Sequence, residues 1–178
     1  MEFVQPSPLT TQDLPMLEPS PANRYHVEHA ERLRRTFHAL TGRNLIDPAL
    51  APEAAADALF HAPFAVLSPD AVPDPLLTYG NWRALELFEL TWEELIQMPS
   101  RYTAEAPDRA ERARLLAEVA ARGFIDDYSG VRISRTGQRF RIARATVWNL
   151  TDDQGRFCGQ AAMFREWRAL ADAGRRRR

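Results

Sequence analysis

The sequence of 178 residues contains no lysine, and all 23 of its basic residues are arginine. Chemistry that needs a titratable amine, such as a Schiff base or a phosphate-loop lysine, is therefore excluded. Cysteine is almost absent too. Cys158 stands alone, which rules out an intrachain disulfide and a multi-cysteine zinc site, and it reads as a small apolar strand residue in a reducing compartment. No apolar run approaches the ~18 residues of a membrane span, and the N-terminus lacks the basic and apolar regions of a signal peptide. A cytoplasmic location is expected. The chain also lacks a GxSxG elbow, an HExxH pair and a glycine-rich phosphate loop, so no enzyme is expected and no catalytic residue or metal ligand is assigned.

A formal net charge of -1 speaks against a strongly basic nucleic-acid domain or a protein held to anionic lipid by charge. Apolar residues make up 45% and charged residues 26%, the usage of a globular domain with a real core. Residues 1–23 hold five prolines, three acids and no base, and read as a disordered proline-rich tail. Residues 24–42 read as an amphipathic helix, with Val27, Ala30, Leu33, Phe37 and Leu40 spaced three or four apart and Gly42 as its stop. A connector over 43–59 contains a short Ala-rich helix.

The main domain is expected over 60–168, followed by an arginine-rich tail over 169–178. Two short strands, Phe64–Leu67 and Leu76–Tyr79, precede three helices. Asn81 caps the first of these, Thr91 and Glu94 form a capping box for the second, and Asp108 with Glu111 starts the third, which Gly123 ends. From Gly123 onward, alternation and the turns at Thr136-Gly137 and Asp152–Gly155 give three more strands. The expected fold class is α+β: a five-stranded antiparallel sheet flanked by short helices, behind an N-terminal amphipathic helix.

That order of elements resembles the PAS fold. The wording is more specific in "YGNWRALELFELTWEEL" from Tyr79 to Leu95, "GFIDDYSGVRIS" from Gly123 to Ser134, and "RFRIARATVWNL" with "GQAAMF" from Arg139 to Phe164. These segments resemble the MEKHLA domain over about residues 60 to 165. The resemblance implies a PAS-like domain that occurs alone in bacteria and at the C-terminus of plant homeodomain-leucine zipper transcription factors, with a sensory or regulatory role and no agreed ligand.

Flavin photosensors of the PAS type carry a reactive cysteine on the long helix, and haem-binding ones a histidine there. Neither residue occurs between Asp108 and Arg122, so the cofactor is left unknown. His26 and His29 lie three apart on the N-terminal helix, where a solvated face is the simpler reading than a metal edge, and His61 reads as a loop residue. The acid pairs Glu93/Glu94, Asp126/Asp127 and Asp152/Asp153 point their members in different directions, and only Asp126/Asp127 is kept as a pocket-rim feature. Arg132, Arg135, Arg139, Arg141 and Arg144 read as a solvated strand face. Strict period two from Phe140 and Ile142 nevertheless turns Arg144 inward; a bulge near Ala143 instead turns it outward and brings Ala145 and Val147 in.

The functional expectation is a stand-alone PAS-like sensory or regulatory module that binds a small molecule or protein partner. A ligand-free dimerisation or docking module is the alternative and a small α+β enzyme the third reading. Tyr79, Trp82, Phe88, Trp92, Tyr128, Arg144, Trp148 and Gln160 are the candidate ligand-binding residues, aromatics as walls and polar tips for orientation. For the helix stripe Val27, Leu33, Phe37 and Leu40, two burial sites compete: a homodimer interface, or the back of the chain's own sheet, with Ala143, Ala145 and Val147 as the landing.

Overall fold

A computed structural model describes residues 16–96, 98–105 and 109–171. Six strands and five α-helices follow in the order α1 (Val27–Thr41), α2 (Pro52–Phe60), β1 (Ala65–Pro69), β2 (Leu77–Gly80), α3 (Trp82–Phe88), α4 (Trp92–Leu95), α5 (Arg109–Arg122), β3 (Phe124–Ile133), β4 (Arg139–Thr151), β5 (Phe157–Phe164) and β6 (Glu166–Ala169). The sheet is antiparallel in the order β2-β1-β5-β4-β3, and β6 pairs with β4. The antiparallel sheet with flanking helices and an N-terminal helix is thus the architecture expected from the sequence. The last expected strand is split at Arg165, so β5 pairs with the second half of β4 and β6 with its first half. Among the described residues no helix is long and apolar enough to cross a membrane.

Local signals account for most boundaries. The Asn81 side chain accepts from Ala84 N at 3.2 Å, and Thr91 accepts from Glu94 N at 3.2 Å while Glu94 reaches back to Thr91 N. Gly42 ends α1 with φ +71, a backbone that a side chain would strain. The Asp108 cap and the tail segments 1–15 and 172–178 lie outside the described residues. Residues 16–23, expected to be part of a disordered tail, are instead tied down: Met16 O accepts from the Trp92 indole at 2.7 Å, and Asn23 donates to Glu18 O at 2.8 Å.

The two faces of the sheet carry different covers. On the outer face α1 buries Ala30, Leu33, Thr36 and Phe37, with Phe37 edge-on to Trp148 at 5.0 Å. The inner face carries Leu67, Phe140, Ile142, Ala145, Val147 and Ala162 and is overlain by α3 and α5. This two-sided cover explains why Ala145, Thr146, Val147 and Trp148 are all buried in one strand. It also settles where the α1 stripe goes. Leu33 and Phe37 are spent inside the chain's own core, so they offer no homodimer surface; Leu40 is exposed and Val27 half-buried. The landing is Trp148, which meets Phe37 and Thr36, rather than Ala145 and Val147, which line the opposite face.

Candidate functional site

The site is a cleft on the inner face between the β3–β4–β5 part of the sheet and α5, with a cavity volume of ≈ 50 Å³. Its walls are mostly apolar, including Leu67, Phe88, Ile142, Val147 and Leu115. Polar groups enter from three elements. Gln160 on β5 donates to Leu116 O at 2.9 Å and to Asn149 Oδ1 at 3.2 Å, a bond that holds α5 to the sheet. Tyr128 and Arg132 come from β3, where Arg132 Nη2 donates to the Tyr128 hydroxyl at 3.2 Å and Arg132 Nη1 to Val131 O at 2.8 Å. Arg112 reaches in from α5.

Gly130 makes the β3 contribution possible. A Cβ at that position would sit 2.4 Å from the Tyr128 hydroxyl and 3.2 Å from Arg132 Nη1, so the absence of a side chain lets both heads fold over the strand. Arg132 is only 9% exposed. Burial, followed by the nearby Arg132 charge, lowers the Arg112 guanidinium to about 10, and it remains protonated at neutral pH.

Of the candidates expected from sequence, the structure brings Phe88, Tyr128 and Gln160 to this cleft. Tyr79, Trp92 and Trp148 are buried on the other side, among α1, α4 and the N-terminal segment: Tyr79 lies against His29 and Trp92, and Trp148 against Phe37. Trp82 is 51% exposed. Arg144 is excluded from the cleft. Its backbone is left-handed at φ +52, its side chain is solvent-facing beside Glu166 at 3.2 Å, and Ala145 and Val147 are buried. The bulged alternative is therefore the one realised, because the extra residue moves the inward set by one position.

Arg132 corrects the expectation of a solvated arginine face, and Arg112 was missed altogether. The i, i+3, i+4 relation of Arg112 to Leu115 and Leu116 was the signal that places it on the cleft face of α5. Asp126 is bound elsewhere, accepting from Thr146 at 2.6 Å and from Arg43 at 2.9 Å. Burial pushes its carboxyl up, and the bonds from Thr146 and Arg43 outweigh this and leave it below the usual carboxylate range. His29 also departs from expectation: it turns toward the sheet, with Nε2 2.7 Å from Ser68 Oγ, rather than to solvent. Among the described residues no group of three His, Cys, Asp or Glu side chains converges as a metal site.

An antiparallel sheet with one face closed by short helices and one longer helix over a small polar-tipped cleft defines a PAS-like fold. Solved structures agree on the fold. The PAS domain of a protein from Colwellia psychrerythraea superposes with TM-score 0.56 at 13% identity, covering 66% of this chain and 95% of that one. An RNA-binding light-oxygen-voltage receptor gives 0.53 at 18% identity, covering 67% of this chain and 33% of that one, and a fungal LOV domain photoreceptor 0.52 at 14%, covering 78% and 88%. No curated protein sequence matches the chain. The MEKHLA domain model matches residues 27–169, and the chain belongs to the MEKHLA domain family. The match begins at the start of α1, well before residue 60, in keeping with the place of α1 in the core.

Proposed function

We propose that the domain senses a small organic molecule in the inner-face cleft and reports its binding through α5. The observation that carries this reading is the convergence of Gln160, Tyr128 and Arg132 on one apolar cavity covered by a helix. The cover is lightly fastened. In α5 only Val119 is fully buried, Leu115 and Leu116 are half-buried, and the Gln160–Leu116 bond is a link a ligand atom replaces. At ≈ 50 Å³ the cavity is too small for an organic molecule, so a ligand enters by displacing α5 outward. Binding and signal are then the same movement.

The reading is one of sensing, with Gln160, Tyr128, Arg132 and Arg112 as the polar groups that orient a ligand in the cleft. The test is a native mass spectrum with an absorption spectrum of the purified protein. A retained mass or chromophore that is lost on Gln160→Leu supports the reading. A protein that carries no added mass and gains none from cell extract overturns it in favour of a ligand-free docking module.

A further inference from the structure

Arg112 and Arg132 are the strongest indication of what the cleft takes. Both line it, from opposite walls, and among the described residues neither lies within 4.0 Å of a carboxylate, although twelve other ion pairs are formed in the chain. Arg132 spends two of the five N–H bonds of its guanidinium on Val131 O and Tyr128 Oη. The other donors are left without a protein acceptor on a side chain that lines the cleft and is only 9% exposed, a setting in which a charge gains from a partner. Two guanidinium groups that line one cleft from the helix and from the sheet are stabilised together by a single anion placed between them.

We infer that the cleft takes an organic oxyanion, a carboxylate or phosphate head on an apolar body, with the head bridging Arg112 and Arg132 and the body against Leu67, Ile142 and Val147. This inference rests on the ligand-binding reading above and adds the chemical class. A guanidinium fork matches two oxygens of either head in a plane, and the Tyr128 hydroxyl, held by Arg132, is free to donate to a third acceptor. The head draws α5 toward the sheet through Arg112, while the apolar body holds it away at Leu115. A neutral molecule of the same shape makes only the second contact.

The test is calorimetric titration of the full chain with phenylacetate, phenyl phosphate and the neutral isostere phenylacetamide. At least one anion is expected to bind ten times or more tighter than the amide, and the better of the two identifies the head. Arg112→Met is expected to weaken that anion tenfold or more with the amide unchanged, and Arg112→Lys to restore part of the loss. Arg132→Gln is expected to act in the same direction; if it does not fold cooperatively, the two Arg112 variants decide alone. Equal binding of amide and anions overturns the oxyanion assignment and leaves the ligand-binding reading intact. Undiminished anion binding in Arg112→Met, or no binding of either anion, overturns it as well. In those cases a mass retained in the native spectrum still supports the cleft reading, and its absence removes both.

Discussion

The indole Nε1 of Trp148 donates a hydrogen bond to Oγ1 of Thr36 over 3.0 Å, joining the centre of the sheet to the middle of α1 across 112 positions of sequence. Both groups are buried, and Thr36 passes its own proton to Arg32 O at 2.7 Å within the helix. Thr36→Val keeps the shape and removes the acceptor. It is expected to cost about 1–3 kcal/mol, the penalty of one unsatisfied buried donor. Thr36→Ser should cost much less. Urea unfolding of the two variants, followed by tryptophan fluorescence, is the check.

Asn81 fastens four backbone groups. Its Oδ1 accepts from Val66 N at 2.9 Å and Ala84 N at 3.2 Å, and its Nδ2 donates to Leu59 O at 3.2 Å and Phe64 O at 2.7 Å. The side chain thereby holds the end of α2, the start of β1 and the start of α3 in one place. Asn81→Ala is expected to destabilise by about 2–4 kcal/mol, more than the ~1 kcal/mol of an ordinary cap, because Val66 N and Phe64 O lose their partner as well, whereas Leu59 O keeps its bond from Ala62 N. Equilibrium unfolding showing only a cap-sized loss would mean that water replaces the side chain.

Phe37 is 1% exposed and packs edge-on to Trp148. Phe37→Ala is expected to cost about 3–5 kcal/mol in unfolding free energy, as for other large-to-small core changes. Light scattering on the same variant separates this role from a dimer interface. A change of mass without a change of stability would place Phe37 between subunits instead.

Burial lowers His29 to about 3, with the charges of Arg32 and His26 acting in the same direction. Ser68, Tyr79, Arg32 and His26 face its ring, and none of them is an acid that would stabilise the imidazolium. The unfolded chain takes up this proton near pH 6.5 and the folded one only near 3. The stabilisation is therefore complete above about pH 6.5 and is lost as pH falls through the interval, at up to about 1.4 kcal/mol per pH unit. His29→Gln should flatten the unfolding free energy between about pH 6.5 and 5, above the range in which most carboxylates titrate. An unchanged slope would mean that the ring is protonated in the folded state.

How far these features were legible in the sequence follows their range along the chain. The Asn81 and Thr91 caps, the Gly42 stop and the turn at Asp152–Gly155 are decided within four residues, and they appear in the structure as the sequence suggests. The faces of β4 were not decidable that way. Whether Arg144 points in or out depends on its own left-handed backbone, at the place in β4 between the stretch that pairs with β6 and the stretch that pairs with β5. The choice of Tyr79, Trp92 and Trp148 as pocket walls failed for a related reason. Aromatic character marks a buried side chain, but only strand register says on which side of the sheet it is buried. Arg132 looked solvated because alternation within β3 does not reveal that α5 lies over it.

β1 sits between β2 and β5, and its registers pair Ala65 with Phe164, Val66 with Met163 and Leu67 with Ala162. β1 therefore waits for a strand made much later in the sequence. The β3–β4 hairpin closes on its own and β1 pairs with β2, but the two ribbons are joined only through β5, so closure of distant loops precedes completion of the core. The nascent chain holds the α1 stripe open until β4 has been made, an interval in which exposed apolar surface invites aggregation. A chain ending at residue 156, which keeps α1 to β4 but lacks β5, is expected to show no cooperative unfolding transition. Such a transition, if observed by circular dichroism, would mean that the N-terminal half is a folding unit of its own.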